Sequence, residues 1–190
     1  MTLKPAIGLI SLALICTACP YESAVPLTHG PTEPVDSSLV GYWYGIVKDG
    51  SDFFGIEALD ITAKSDSVYA ITRYGKSIRG DMIMPDTAFY TAFTSRLGEH
   101  RYMSVQGSVK VPSRKSPSGY EMQRIFYISS LDLKNDTLSI KTVTENFTAR
   151  KDFRNPDDLR SLILSLTQQQ KNIFDDLYSL QYRKIERVTR

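Results

Sequence analysis

The chain is 190 residues long, one domain's worth of core on the usual length scale. Lysine and arginine number 23 against 21 aspartates and glutamates, mixed along the chain, and this balance gives no electrostatic case for nucleic acid as a partner. The two cysteines, Cys16 and Cys19, both lie near the start, so the body of the protein has no disulfide, no thiol nucleophile and no cysteine-based zinc site.

The first 18 residues read as a secretion signal. Lys4 supplies a short positive start, residues 6–15 are almost unbroken apolar, and Thr17-Ala18 are the small residues of a cleavage site. The apolar stretch is about 14 residues at most, and a spanning helix needs about 20. Thr17-Ala18-Cys19 resembles the lipobox of bacterial lipoproteins, in which cleavage before the cysteine frees it for acylation; Cys16 stands where that family usually has leucine. The resemblance implies Cys19 as the lipidation site and a membrane held through N-terminal acyl chains as a partner. Lipoproteins kept at the inner membrane often carry Asp after the cysteine. Pro20 stands here instead, which implies the periplasmic face of the outer membrane.

Residues 19–38 follow as the lipidated cysteine and a flexible linker. Four prolines, a glycine and many small polar residues leave too little apolar content for a core. Stretched out, such a segment reaches roughly 60 Å, and as a coil roughly 25 Å.

From Leu39 the pattern turns to alternation. Strands are predicted at 41–47, 53–61, 67–73, 77–84, 87–95, 102–109, 120–131 and 137–143. Lys134-Asn135-Asp136 reads as a tight turn before the last of them. A helix is predicted over 156–180: Asn155 suits the N-cap, Pro156 the first helical position, and Asp157 and Asp158 the positive end of the dipole. A polar 167–171 stretch offers a break, and 182–188 suits a short closing strand. Antiparallel strands leave open edges unless the sheet closes, so the expected fold is mainly β, an eight-stranded antiparallel barrel with a C-terminal amphipathic helix over residues 39–190. A two-sheet sandwich is the alternative.

Gly41-Tyr42-Trp43 at the start of the first strand resembles the Gly-x-Trp motif of lipocalins and the lipocalin-like lipoproteins of bacteria. Strand number and trailing helix look similar, while the family's later Thr-Asp-Tyr signature has no match at 128–132. The resemblance implies a lipocalin-like barrel closed at one end by Trp43 under a basic side chain, Arg183 or its neighbour Lys184, and a small apolar or amphiphilic ligand inside.

Catalytic chemistry finds little support. His29 lies in the linker and His100, between Glu99 and Arg101, in a hairpin loop; no nucleophile elbow accompanies them. Glu57 and Asp60 are three apart on a strand and face opposite sides, so they are not a glycosidase pair. Asp132, Asn135 and Asp136 do not fit a calcium loop. There is no dinucleotide or P-loop motif, and no cofactor or metal is expected. Lys110, Arg114 and Lys115 form a small basic loop that suits acidic headgroups, or simply solvent. The expectation is a lipid-anchored binding module and not an enzyme; the alternative is an interaction lipoprotein that binds another envelope protein without a small ligand.

Overall fold

The computed structural model describes residues 20–49, 53–79, 82–145 and 152–185. The predicted signal and Cys19 lie outside them. Eight strands close into one antiparallel barrel in sequence order: β1 (Gly41–Asp49), β2 (Phe53–Ala63), β3 (Tyr69–Arg79), β4 (Met82–Leu97), β5 (His100–Pro112), β6 (Tyr120–Lys134), β7 (Thr137–Val143) and β8 (Phe174–Ile185). One helix, α1 (Pro156–Gln168), connects β7 to β8. This is a lipocalin-like barrel with the helix α1 between its seventh and eighth strands.

Three boundaries differ from the sequence reading. The two strands expected at 77–84 and 87–95 are not separate; β3 runs on to Arg79 and β4 begins at Met82. The helix stops at Gln168 rather than 180, where Gln170 takes a positive φ of 55° within the polar stretch. The apolar residues beyond it belong to β8, which completes the barrel in place of a short strand. Leu177 and Leu180 fit a helical spacing, but this stretch pairs with β7 and Tyr182–Ile185 beyond it pair with β1, so closure overrides local periodicity. The start of α1 is as expected: Asn155 accepts a hydrogen bond from the Asp157 amide at 3.0 Å. So is the turn between β6 and β7, with positive φ at Asn135 and Asp136.

Alternation along the strands sorts the apolar residues into two cores. Trp43, Leu59, Ile61, Tyr69, Ile71, Ala92, Met103, Leu138 and Tyr182 fill the barrel. Tyr102, Phe126 and Ile128 point the other way and pack under Leu159 and Ile163 of α1. The helix therefore covers the outside of β5 and β6 and plugs neither end.

The floor of the barrel explains the Gly-x-Trp spacing. Trp43 is fully buried and its indole donates to the Leu39 carbonyl at 2.9 Å. Lys184, its register partner across the β1–β8 seam, lies over the ring with Nζ 5.2 Å from the centroid, and donates to the Ser38 carbonyl at 2.8 Å. Gly41 has φ 135°, and a Cβ there would lie 2.9 Å from Lys184 Cε. Glycine at 41 makes room for the lysine that covers the tryptophan at 43. The cation is thus Lys184 and not Arg183, whose register partners are Tyr44 and Thr137 and which is exposed on the outer wall.

Residues 20–38 are not a free linker. Tyr21 and Leu27 are buried in the outer core beside α1, and the Leu27 amide donates to Ser104 Oγ at 3.1 Å. Glu33 receives Arg96 at 2.7 Å and Arg101 at 3.0 Å, and Arg101 also reaches Asp36 at 2.6 Å. The Asp36 amide donates to the hydroxyl of buried Tyr69. The segment is a strap from the outer wall to the floor. Its few apolar residues need no core of their own because they join one already built.

Trp43→Ala should lower unfolding free energy by about 3–5 kcal/mol in urea titration, whereas Lys184→Ala should cost about 1 kcal/mol or less. The Ser38 hydroxyl and amide and the Arg101 guanidinium hold the Asp36 carboxyl down at about 2, from 3.8. A depressed acid stabilises the fold above its unfolded value, and that stability is lost as pH falls from about 4 through about 2. Asp36→Asn should remove about 1 kcal/mol of pH dependence in that window, allowing for its partial exposure, as read by urea midpoints at stepped pH.

Candidate functional site

A polar cluster sits inside the barrel above the apolar floor. Glu57 on β2 is 8% exposed. It is reached from two sides: Tyr182 on β8 donates its hydroxyl to Oε1 at 2.5 Å, and Arg73 on β3 donates Nη1 to Oε2 at 3.0 Å. Arg73 spreads further, its Nη2 meeting Asp86 of β4 at 2.5 Å. Four strands thus contribute one chain of hydrogen bonds across the lumen.

Register places these groups together. Gly45 pairs with both Glu57 and Tyr182, and a Cβ at 45 would lie 2.6 Å from the Gln181 carbonyl and 3.0 Å from the Tyr182 ring. The bare glycine lets the Tyr182 ring lie against β1 on its way to Glu57. Arg73 is the register partner of Leu59, so it rises from the same inward row as the apolar floor.

Burial and the facing Glu57 carboxylate push the Tyr182 hydroxyl far above its ordinary value, so it stays a proton donor. Burial works against the Arg73 charge, but Glu57, Tyr90 and Asp86 outweigh it and the guanidinium is held more firmly charged. Burial, then Glu22, raise Tyr127, whose hydroxyl donates to the Glu22 carboxylate of the strap at 3.2 Å. Among the described residues, Arg73 Nε is buried with no hydrogen-bond partner. A guanidinium has five donors, and an unpaired buried one is costly. The lumen therefore combines an apolar floor, several tyrosines and unfilled donors at Arg73 Nε and at Thr94, the register partner of Met103.

The expected site residues separate. Gly41 and Trp43 come together at the floor, with Lys184 rather than Arg183. Cys19 lies outside the described residues. Of the aromatic residues on the strands, Tyr69 and Tyr90 pack with the lumen core, Tyr102 and Phe126 lie under α1, and Phe89 faces outward, 76% exposed. His100 is exposed at the first position of β5. His29 of the strap meets Asp157 at the start of α1 at 3.2 Å. The sequence reading missed Arg73, Asp86 and Tyr182 as a group. Their only trace was a charged residue at an inward position of a strand, which cannot be seen until the register is known. Among the described residues no cluster of His, Cys, Asp and Glu is placed to hold a metal, and no helix is long and apolar enough to cross a membrane.

The outer wall opposite α1 is bare and apolar. Ile46 and Ile56 are register partners, 66% and 63% exposed, and Tyr44, Tyr74 and Phe89 extend the patch over β1–β4.

Comparison with protein-family models, with curated proteins and with solved structures finds no match. The class of molecule is therefore defined by its own geometry: a closed eight-stranded lipocalin-like barrel with a polar cluster set inside it.

Arg73→Met should cost about 2–3 kcal/mol, because Glu57 is then buried with one partner fewer. Tyr182→Phe should cost about 1 kcal/mol. The double variant should fall short of the sum of the two, since both act on one carboxylate, and a chemical-denaturation cycle would read the coupling. Strict additivity would mean that Glu57 does not join them.

Proposed function

We propose that this protein is a lipid-anchored lipoprotein of the bacterial envelope, acylated at Cys19 on the periplasmic face of the outer membrane, that binds a small amphiphilic molecule in its barrel and is not an enzyme. The observation that carries the ligand reading is Arg73, held charged in a polar layer above an apolar floor, with one of its buried donors unfilled. A ligand with an apolar body and a polar acceptor matches that lining: the body against Leu59, Ile71 and Met103, the acceptor toward Arg73 Nε. The anchor reading rests on the Thr17-Ala18-Cys19 spacing and the short apolar run before it.

A second reading has its own support. The exposed patch of Tyr44, Ile46, Ile56, Tyr74 and Phe89 suits an interaction lipoprotein that holds another envelope protein.

Intact mass of the protein purified from membranes should exceed that of the chain beginning at Cys19 by its acyl groups. Native mass spectrometry of the same sample should show a bound small molecule, and a fluorescent amphiphile should be displaced by the extracted compound. Arg73→Met should weaken that displacement about tenfold, the worth of one charge-assisted hydrogen bond. A barrel recovered empty that binds no amphiphile, together with an envelope protein crosslinked through position 89, would replace the first reading by the second.

A further inference from the structure

The strap changes where the membrane must be. Pro20 forms a backbone bridge with Thr144, the Tyr21 amide donates to the Val143 carbonyl at 2.9 Å, and Ser23 and Phe126 exchange two backbone hydrogen bonds of 2.9 and 2.8 Å. Tyr21 is 5% exposed and meets Phe153 edge-on, with ring centroids 6.4 Å apart. The chain is thus fixed to the barrel from Pro20 onward. Residue 19 can lie only one Cα step, about 3.8 Å, from Pro20. An acyl chain on Cys19 would have no spacer, and the barrel surface near Ser23 and Phe126 would be brought to the headgroups.

That surface has a matching composition. Tyr120, Met122 and Arg124 alternate along β6 on the same face as Phe126, and all three are exposed. Arg124 stacks over the Phe126 ring at 5.9 Å. Lys110, the register partner of Met122, has its Nζ 4.5 Å from the Tyr120 ring centroid. Arg114 and Lys115 are exposed in the loop between the two strands. Four cations therefore surround Tyr120 and 66%-exposed Met122, with the carboxylates of Glu121, on the other face of β6, and of exposed Glu22 on the strap beside them. Apolar side chains at headgroup depth with cations around them are what an anionic membrane surface attracts.

We propose that the outward face of the β5–β6 hairpin, formed by Lys110, Tyr120, Met122 and Arg124 with Arg114 and Lys115 at its tip, lies on an anionic phospholipid bilayer and holds the barrel at a fixed attitude to it. The proposal rests on acylation at Cys19. The hairpin is a second contact, which turns a single-point anchorage into an oriented one.

The test uses the full acylated protein in phosphatidylglycerol–phosphatidylcholine vesicles. Spin labels are placed singly through Ser118→Cys on the hairpin loop and Lys134→Cys at the floor end. The Ser118 label should be shielded several-fold from a water-soluble nickel relaxant and exposed to oxygen, while the Lys134 label stays in water. Replacing Lys110, Arg114, Lys115 and Arg124 by glutamine, or phosphatidylglycerol by phosphatidylcholine, should return the Ser118 label to water with the protein still floating with the vesicles. Equal nickel access at both labels in protein that floats would overturn the hairpin contact and leave the anchor intact. Protein that fails to float with vesicles would remove the anchor, and the oriented contact with it.

Discussion

The seam between β1 and β8 is the constraint on which the rest of this structure depends. Without it the eight strands are an open sheet with two edges, and there is neither lumen nor floor. The seam closes because β1 has little bulk where β8 must approach. Gly45 accepts the Tyr182 ring and Gly41 accepts the Lys184 side chain. Each near-contact places a functional group: Tyr182 is aimed at Glu57, and Lys184 covers Trp43. Closure and the polar cluster are thus set by the same few residues.

The strap shows why composition misleads about order. Prolines, glycine and small polar residues between 20 and 38 cannot build a core, and that argument is sound for an isolated segment. Here the apolar residues are Tyr21, Val25, Leu27 and Val35, and each inserts into a core assembled from elsewhere. Glu33 and Asp36 find Arg96 and Arg101 on the adjoining β4 and β5. Prolines lower the entropy that such a segment loses when it is laid down. What composition suggests is a spacer is instead part of the barrel's outer layer.

The lumen has a division of labour. Below, Trp43, Leu59, Tyr69 and Leu138 make an apolar floor; above, Glu57, Arg73, Asp86 and Tyr182 make a connected polar layer. A buried ion pair of this kind is weak as a stabiliser, because desolvation offsets most of its attraction. Its presence in a lumen that could have been wholly apolar, with one Arg73 donor unfilled, is the feature on which the proposed ligand binding rests.

The sequence by itself determined the strand-rich pattern, the capped start of α1 and the Asn135-Asp136 turn, because each depends on local periodicity or on residue chemistry within a few positions. The resemblance to lipocalins implied a cation over Trp43 but could not choose between Arg183 and Lys184, since neighbours on a strand face opposite sides and only the register decides which points in. Local periodicity gave the wrong identity to residues 174–180, whose leucines fit a helical spacing until β7 offers that stretch a pairing partner. Glu57, Arg73, Asp86 and Tyr182 are spread over four strands and more than a hundred residues. Only the closed barrel brings them within hydrogen-bonding distance, because their contact is a consequence of register and closure rather than of spacing along the chain.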